Sequence, residues 1–417
     1  EAETLISNFL LQITNLFVAS KDLPETLGEI TKALLEQTNA EEVALIRFDP
    51  EDDRAALRYL ATKQGRFSYG FENQVALSRI LPALEGLEQA GHLILPGNLL
   101  ASSGYAAPLS DPDLKSLNSL CFPLTVPGEV HGLLVAVEVD RPGRSQRVEL
   151  LKEASLQIAS GIQNYVMQTI QHNQTLIDRE LQLARQIQKT FLPENLPFLP
   201  GYDLAAEWQT ARQVGGDFYD VFELTPGKYG LTIADVSDKG LPASLYMTVS
   251  RTLIRARALE LESPARTLEK VNHILQLDSS DGFFVTVFYA IVELESGTVT
   301  YCVAGHNPPY WLRPKQGISQ PLNKGGLALG MMDPIHLSDQ ELVLAPGDAL
   351  VLYTDGITET FSPEGESFGT NRLNVRLKSL LGESARGIIE GIELTLDTFR
   401  AGRALDDDYT LLVIRRE

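Results

Sequence analysis

Four groups of aspartate stand at the ends of segments that are predicted to form buried β-strands. Asp217 follows two glycines in "GGDFYD", Asp235 ends the run in "TIADVSDKG", Asp355 follows "VLYT", and residues 406–408 precede "YTLLVI". Removing one carboxylate from water costs several kcal/mol unless it is paired or binds a cation. Few basic residues fall inside these motifs, so we expect the strand ends to converge on shared divalent cations.

The residue types indicate which metal ions the site would prefer. Aspartate oxygens with backbone carbonyls suit Mg²⁺ or Mn²⁺, whereas no histidine is placed to favour zinc. Gly216, Gly240 and Gly356 would let the backbone turn or approach an ion. Each motif alone is typical of a turn or a solvated loop; their combination favours a site. Two such ions about 4 Å apart activate water and clamp a phosphoryl group. The pattern therefore predicts hydrolysis of a phosphate ester without a covalent enzyme intermediate.

Charge and composition exclude several classes of partner. Lys plus Arg number 35 and Asp plus Glu 55, a net charge of −20, which disfavours nucleic acid and anionic lipid. No membrane-length apolar run or signal-peptide pattern occurs, so a cytoplasmic location is expected. Cys121 and Cys302 read as small buried residues, and neither has the nearby arginine of a cysteine-nucleophile phosphatase. The chain starts at Glu1 without methionine, so it is interpreted as a fragment that further domains could precede.

Three regions are predicted, at 1–160, 161–195 and 196–417. In the first, helical periodicity gives way to the strand-like runs "EEVALIRFD", "AALRYLATK", "NSLCFPLTV" and "GLLVAVEV", with helix and loop segments between them. This order is typical of a small α/β domain with one central sheet.

A long helix is predicted from Leu150 to Phe191, because neither proline nor a turn cluster interrupts the segment. Alternating steps of four and three match heptad spacing. The helix either lies on its own domain or forms a weak, parallel coiled coil between two chains. We favour the coiled coil, and hence a homodimer. "LPENLPFLPG" ends the helix. The seam comprises Val166, Ile170, Asn173, Ile177, Glu180, Ala184, Ile187 and Phe191.

The last region combines hairpin-connected strands with paired helices, which predicts antiparallel sheets with helices packed outside. Ser263 is the predicted N-cap of one helix and Pro264 its first residue. The strands are "DLAAEWQTA", "FYDVFEL", "YGLTIADV", "FFVTVFYAIVEL", "GTVTYCVAG", "DALVLYTDG" and "YTLLVIRR"; the helices are "LPASLYMTVSRTLIRARAL", "SPARTLEKVNHILQL" and "ESARGIIEGIELTLDTFRA".

At these motifs the chain resembles the metal-dependent, type 2C serine/threonine phosphatases, and most closely their bacterial branch that regulates sigma factors and sporulation. The motifs span about 179–415 and are "RELQLARQIQKTFLPENLP", "RQVGGDFYDVF", "IADVSDKGLPASLYM", "AGHNPPYWL", "GDALVLYTDGITE" and "DDDYTLLVI". The resemblance implies a mixed α/β fold, an α-β-β-α sandwich that holds two Mn²⁺ or Mg²⁺ ions between its sheets.

The same resemblance implies a ligand set, which is also the catalytic set. Asp217 and Asp235 would lie near or between the ions with help from the Val236 carbonyl, Asp355 would bind one ion and Asp407 the other, with Asp408 as an alternative to Asp407.

Three further residues are interpreted differently. Asp220 is interpreted as a supporting or strand-surface residue, and His306 as structural support for the wall of the site, with a general-acid role as the lesser alternative. Asp238 stands where the family has glycine in Ser-Gly-Lys-Gly. Its extra carboxylate would either bind a third cation or repel phosphate.

The first 165 or so residues resemble a GAF sensory domain, through the helix before "EEVALIRFD" and the ending "FPLTVPGEVHGLLVAVEV". This implies either a small-molecule site or an empty dimerisation module. Cys121 lacks the neighbours of a chromophore attachment site, so a tetrapyrrole is not expected.

The leading hypothesis is a protein phosphatase that the GAF domain regulates through the linker, with a phosphoserine or phosphothreonine protein as substrate. The family resemblance alone points to an anti-sigma-factor antagonist as that protein. The alternatives are a catalytically weak signalling scaffold of the same fold and a carboxylate-pair glycosidase. The glycosidase gives no reason for four acidic strand ends.

Overall fold

The chain folds into two compact units, Glu1–Thr175 and Leu176–Glu417. The computed structural model describes residues 2–19, 22–48, 56–63, 65, 67–72, 93–96, 117–126, 129–139, 144–193, 195–278 and 282–417. The boundary between the units falls inside one long helix. The domain borders expected at residues 160 and 195 stay predictions.

The first unit is a single antiparallel sheet with helices packed against it. Its six strands are ordered β3-β2-β1-β6-β5-β4. Apolar residues from the helices and the sheet, among them Ile30, Tyr59, Phe122 and Ile158, form its core. The segments predicted between strands within 73–92 and 97–116 lie outside the described residues. The elements are α1 (Ala2–Ala19), α2 (Leu23–Thr38), β1 (Glu42–Phe48), β2 (Ala56–Thr62), β3 (Phe67–Glu72), β4 (Leu93–Pro96), β5 (Leu117–Val126) and β6 (Glu129–Val139).

The predicted long helix is confirmed. Helix α3 runs over Arg144–Phe191, 48 residues, and so begins before Leu150. Its first turns bury Leu151, Ala154 and Ile158 in the core of the first unit. None of the helices that the structure describes combines the length and the apolar character needed to cross a bilayer.

The second unit contains two five-stranded antiparallel sheets, ordered β14-β11-β10-β9-β8 and β13-β12-β15-β16-β7. Its strands are β7 (Tyr202–Gln209), β8 (Phe218–Thr225), β9 (Lys228–Val236), β10 (Val285–Glu293), β11 (Thr298–Ala304), β12 (Tyr310–Arg313), β13 (Ile318–Pro321), β14 (Gln340–Val343), β15 (Ala349–Tyr353) and β16 (Tyr409–Arg416). Its helices are α4 (Leu241–Ala258), α5 (Pro264–Asp278), α6 (Asp355–Thr358), α7 (Gly369–Ser379) and α8 (Ala385–Arg400).

The two sheets pack face to face, with helices on both outer faces. Along β9, Leu231 and Ile233 point into the core between the sheets, whereas Ala234 and Val236 pack toward α4 and α5. This alternation follows from the two-residue period of a strand. Helices α7 and α8 cover the other sheet. The predicted α-β-β-α sandwich is therefore confirmed.

Helix α5 begins at Pro264 as predicted, but a distant side chain accepts at its first turn. Asp339 Oδ1 accepts a hydrogen bond from the Ala265 N–H at 2.7 Å. Ser263 contributes its backbone carbonyl, which accepts from the Thr267 N–H. A carboxylate at a helix N-terminus also interacts favourably with the helix dipole.

Replacing Asp339 with alanine is therefore expected to lower the free energy of unfolding of the second unit by about 1 kcal/mol. Ser263→Ala, the change that sequence reasoning would choose, is the matched control and should cost much less. Both tryptophans, Trp208 and Trp311, lie in this unit, so urea unfolding followed by tryptophan fluorescence measures it. Equal losses in the two variants would contradict the assignment.

Candidate metal centre

The acidic motifs of both sheets come to one edge of the sandwich. Asp217 immediately precedes β8, and the pairing of Phe218 with Ala234 places Asp217 beside Asp235. In the other sheet, Tyr353 pairs with Leu411, so Asp355 and the triple aspartate leave and enter neighbouring strands. Antiparallel pairing thus brings four sequence-distant motifs together.

Asp217 is the most buried acid of the group, with 1% of its surface exposed. Its Oδ2 accepts hydrogen bonds from Thr354 Oγ1 at 2.6 Å and from Thr410 Oγ1 at 2.9 Å. Burial, followed by the charges of Asp235 and Asp408, raises the pKa of Asp217 well above its usual range, and the two hydroxyls act in the opposite direction.

The pKa values of Asp235 and Asp355 are raised for the same two reasons, burial and neighbouring acids. Burial, and then the charge of Asp355, raises the pKa of Asp235 to about 8, although a hydrogen bond with Asp217 opposes the shift. Burial, and then Glu359 and Asp407, raises the pKa of Asp355 to about 6. A group of carboxylates that disfavours its own ionisation in this way is neutralised either by protonation or by a bound cation.

The members of the triple aspartate differ in their contacts. Both oxygens of Asp408 accept backbone amides, Oδ1 from Ala211 and Oδ2 from Gly216, each at 2.8 Å. Asp407 Oδ2 instead lies 2.9 Å from Lys239 Nζ. Asp408 therefore holds the backbone that leads to Asp217, whereas Asp407 pairs with the ammonium group of Lys239.

Two glycines allow these segments to approach. A Cβ at Gly356 would overlap the Asp408 carbonyl oxygen, and one at Gly215 would overlap the Asp408 carboxylate. A third close approach joins the two strands of one sheet, because a Cβ at Gly216 would lie 3.0 Å from the Val236 carbonyl oxygen. Any side chain at Gly356 would separate the turn that carries Asp355 from the triple aspartate.

The donor set fits a hard divalent cation. Carboxylates of Asp217, Asp235, Asp355 and Asp407 and the Val236 carbonyl supply oxygen only, the ligand type that Mg²⁺ and Mn²⁺ prefer. Among the described residues, no three acidic, histidine or cysteine side chains already stand in the close arrangement of a formed ion site. Asp407 is paired with Lys239, so ion binding there requires this carboxylate to exchange its partner.

Gln188 of α3 makes a contact with the site loop that sequence reasoning missed. The residue is 4% exposed. The side-chain amide makes two hydrogen bonds with the backbone of Gly215: Nε2 donates to the carbonyl at 2.5 Å, and Oε1 accepts from the N–H at 3.1 Å. The last turn of the long helix is thus bonded to the loop that carries Asp217. The motif "RQIQKTFLP" contains this glutamine, but nothing in its spacing identifies the bonding partner.

His306 lies behind the site. Its Nδ1 is 2.8 Å from Thr286 Oγ1, and that hydroxyl donates to the Asp235 carbonyl at 3.3 Å. Burial lowers the pKa of His306 to about 4, so the ring is neutral at pH 7. These contacts favour structural support over a general-acid role.

Asp220 and Asp238, the other two acids near these motifs, have other partners. Asp220 is buried against α4, 2.8 Å from Arg251 Nη2 and 3.2 Å from Arg255 Nη1. Asp238 is exposed, has φ +72°, and accepts from the Lys239 N–H through Oδ1 at 2.8 Å. Aspartate tolerates this left-handed backbone better than most residues, which explains how it replaces the family's glycine.

Two family models match separate parts of the chain. Residues 225–417 match the model described as Stage II sporulation protein E (SpoIIE), and residues 22–162 match the GAF domain. The expected resemblance to the sporulation branch of type 2C-like phosphatases, with a GAF domain before it, is confirmed.

Two curated relatives each match more than half of the chain. Protein IcfG of Synechocystis sp. is 28% identical over 307 residues, 67% of this chain and 48% of IcfG. Phosphoserine phosphatase RsbU of Bacillus subtilis is 29% identical over 253 residues, 60% of this chain and 74% of RsbU. The chain therefore spans about half of one relative and about three quarters of the other.

The solved SiaA-PP2C domain of Pseudomonas aeruginosa has the same fold. It aligns with a TM-score of 0.54 at 24% identity and covers 59% of this chain and 99% of that domain. The likeness supports the two-sheet architecture described above.

Asp220 is expected to contribute to stability and not to ion binding. Asp220→Ala would leave two guanidinium groups without their partner, one of them largely buried, and should lower the free energy of unfolding of the second unit by about 3 kcal/mol. Glu366→Ala, which breaks an exposed pair with Arg372, should cost under about 1 kcal/mol. Tryptophan-monitored urea unfolding measures both. Lost Mn²⁺ binding with unchanged stability in Asp220→Ala would overturn this assignment.

Proposed function

We propose that this chain, a SpoIIE-family phosphatase domain preceded by a GAF domain, is a metal-dependent protein serine/threonine phosphatase in bacterial signalling. The observation that carries the proposal is the meeting of Asp217, Asp235, Asp355 and Asp407 at one edge between the two sheets. The name of its relative RsbU, phosphoserine phosphatase, supports the same reaction class.

The proposed ligands divide between two ions. Asp217 and Asp235, with the Val236 carbonyl, would lie near or between the ions, Asp355 would hold one and Asp407 the other. Asp408 is the weaker candidate, because both of its oxygens already accept amides. When bound, two Mn²⁺ or Mg²⁺ ions lower the pKa of a shared water and neutralise the substrate phosphate.

The protein's own residues prepare that geometry. Asp408 and Gln188 fix the loop before Asp217 through its amides and carbonyl. The neutral His306 and Thr286 brace the end of β9 behind Asp235. Gln188 and His306 are buried, so these supports hold the backbone beside Asp217 and Asp235 before substrate binds.

The substrate is a phosphoserine or phosphothreonine on a protein partner. That this partner is an anti-sigma-factor antagonist rests on the family resemblance alone. A cytoplasmic location is part of the same proposal. A small-molecule ligand of the GAF domain stays a prediction, because much of the segment between its strands lies outside the described residues.

The linker is proposed to join two chains and to carry the regulatory signal. Ile170, Ile177 and Ile187 of the heptad seam are 51%, 56% and 53% exposed, which leaves an apolar stripe for a second copy of the helix. Gln188, one residue beyond Ile187, bonds the site loop. A rotation or shift of the paired helices would therefore move the loop that holds Asp217.

The competing proposal is a catalytically weak scaffold with the same fold. Two observations favour it: Asp238 adds a carboxylate beside the site, and Lys239 pairs with Asp407. Both proposals require the same fold, so activity measurements must separate them. In the proposed enzyme, Asp238 is the residue that would hold a third ion.

Mn²⁺-dependent hydrolysis of a phosphoserine protein or an aryl phosphate is expected from the wild-type chain. Chelation with EDTA should abolish it, and Asp235→Asn and Asp355→Asn should each lower kcat by at least about a hundredfold, because a lost ligand removes charge from the ion pair. Asp406→Asn is the control, since Asp406 pairs with exposed Arg403. Activity that survives chelation would refute the metal mechanism, and inactivity with metal and partner would support the scaffold.

Gln188→Leu is expected to lower kcat/KM about tenfold or more, because both bonds to Gly215 are lost in a buried position. Gln186→Leu makes the same change on the exposed side of the same turn and should leave activity unchanged. Steady-state kinetics at saturating Mn²⁺ compares the two. Equal activity in both variants would show that the helix does not act through this contact.

A further inference from the structure

We infer that Thr354 and Thr410 form a hydroxyl clamp that fixes Asp217 as a ligand through a single oxygen. Both threonines have 0% of their surface exposed. Both hydroxyls donate to the same atom, Asp217 Oδ2, at 2.6 and 2.9 Å. The inference rests on the proposed metal-dependent function and assigns positioning residues to it.

The hydrogen-bond directions at the clamp are determined by the backbone. Thr354 Oγ1 accepts the Thr410 N–H at 2.8 Å, which leaves its own proton for Asp217. The Thr354 N–H donates to the Thr410 carbonyl at 3.1 Å. The two threonines thus lock each other at the junction of β15 and β16, and their hydroxyls are fixed donors.

The Thr354 side chain bonds Asp217 and does not cap its own helix. Thr354 is the N-cap residue of α6, yet its side chain makes no capping hydrogen bond. An N-cap threonine ordinarily accepts an N–H from the first turn of its helix. Here the hydroxyl turns toward the aspartate of the opposite sheet, so the local preference yields to the tertiary contact.

The clamp determines which part of Asp217 can bind an ion. Oδ2 is occupied by two donors, and the Trp208 indole N–H donates to the Asp217 backbone carbonyl at 3.1 Å. With Oδ2 held inside the protein, Oδ1 remains for coordination. Asp217 would therefore bind through one oxygen with its orientation set in advance.

Thr410→Val is the variant that tests the clamp, because the Thr410 hydroxyl bonds Asp217, whereas that of Thr354 also accepts an amide. In the full chain, without substrate, the free Mn²⁺ that remains during a titration is measured by electron paramagnetic resonance. Positioning contacts of this kind are worth about 10- to 100-fold in metal affinity. We expect at least one Mn²⁺ to bind about tenfold more weakly.

Two variants control for shape and burial. Thr410→Ser keeps the hydroxyl and should bind Mn²⁺ within about twofold of wild type. Thr232 lies on β9 and is buried, and the structure gives its hydroxyl no hydrogen-bond partner, so Thr232→Val should bind as wild type does. Tryptophan-monitored unfolding in EDTA checks that each variant folds.

The outcomes separate this inference from the proposed function. Wild-type affinity in Thr410→Val, or a loss in Thr410→Ser as large as in Thr410→Val, overturns the clamp alone. A wild-type chain that binds no Mn²⁺ overturns both. Weakened binding in Thr410→Val and retained binding in Thr410→Ser support the clamp even where the wild type hydrolyses no phosphoprotein, a result that would refute only the catalytic function.

Discussion

The cost of burying several carboxylates side by side is the constraint that shapes the candidate metal centre of the second unit. Burial raises the pKa of Asp217, Asp235 and Asp355, and neighbouring acids raise it further. A fold gains nothing by collecting such groups unless a cation supplies the countercharge. Ionising these carboxylates at one edge of the sandwich is therefore unfavourable, and the proposed ions would supply the countercharge. On this view metal binding and local stability are coupled.

Aspartates that are close together in the sequence have different partners in the structure. Asp407 pairs with Lys239 and would exchange that partner to bind an ion, whereas its neighbour Asp408 holds two backbone amides. Asp217 ends in the site, whereas Asp220 pairs with arginines of α4. In both pairs the difference lies in what each carboxylate meets across the sheet. Asp408 positions the backbone that leads to Asp217, and Asp220 joins β8 to α4.

Long apolar runs made most of the fold predictable. The strands around Asp235 and Asp355 and the 48-residue helix follow directly from periodicity and the absence of proline. Strands β12, β13 and β14 escaped prediction because each has 4 residues, too few to establish a period. The capping of α5 escaped for another reason: Asp339 is distant in sequence, so local preference pointed to Ser263.

The sequence by itself determined the fold class, the resemblance to type 2C phosphatases, and the set of acids from which a metal site could be built. All three follow from local patterns, because a few consecutive residues are enough to show strand periodicity or a carboxylate at the end of a strand. Only the tertiary structure decided which carboxylates face one another, that Gln188 holds the loop before Asp217, and that Thr354 and Thr410 share one of its oxygens. Hydrogen-bond partners across two sheets depend on packing and register, which no local pattern encodes.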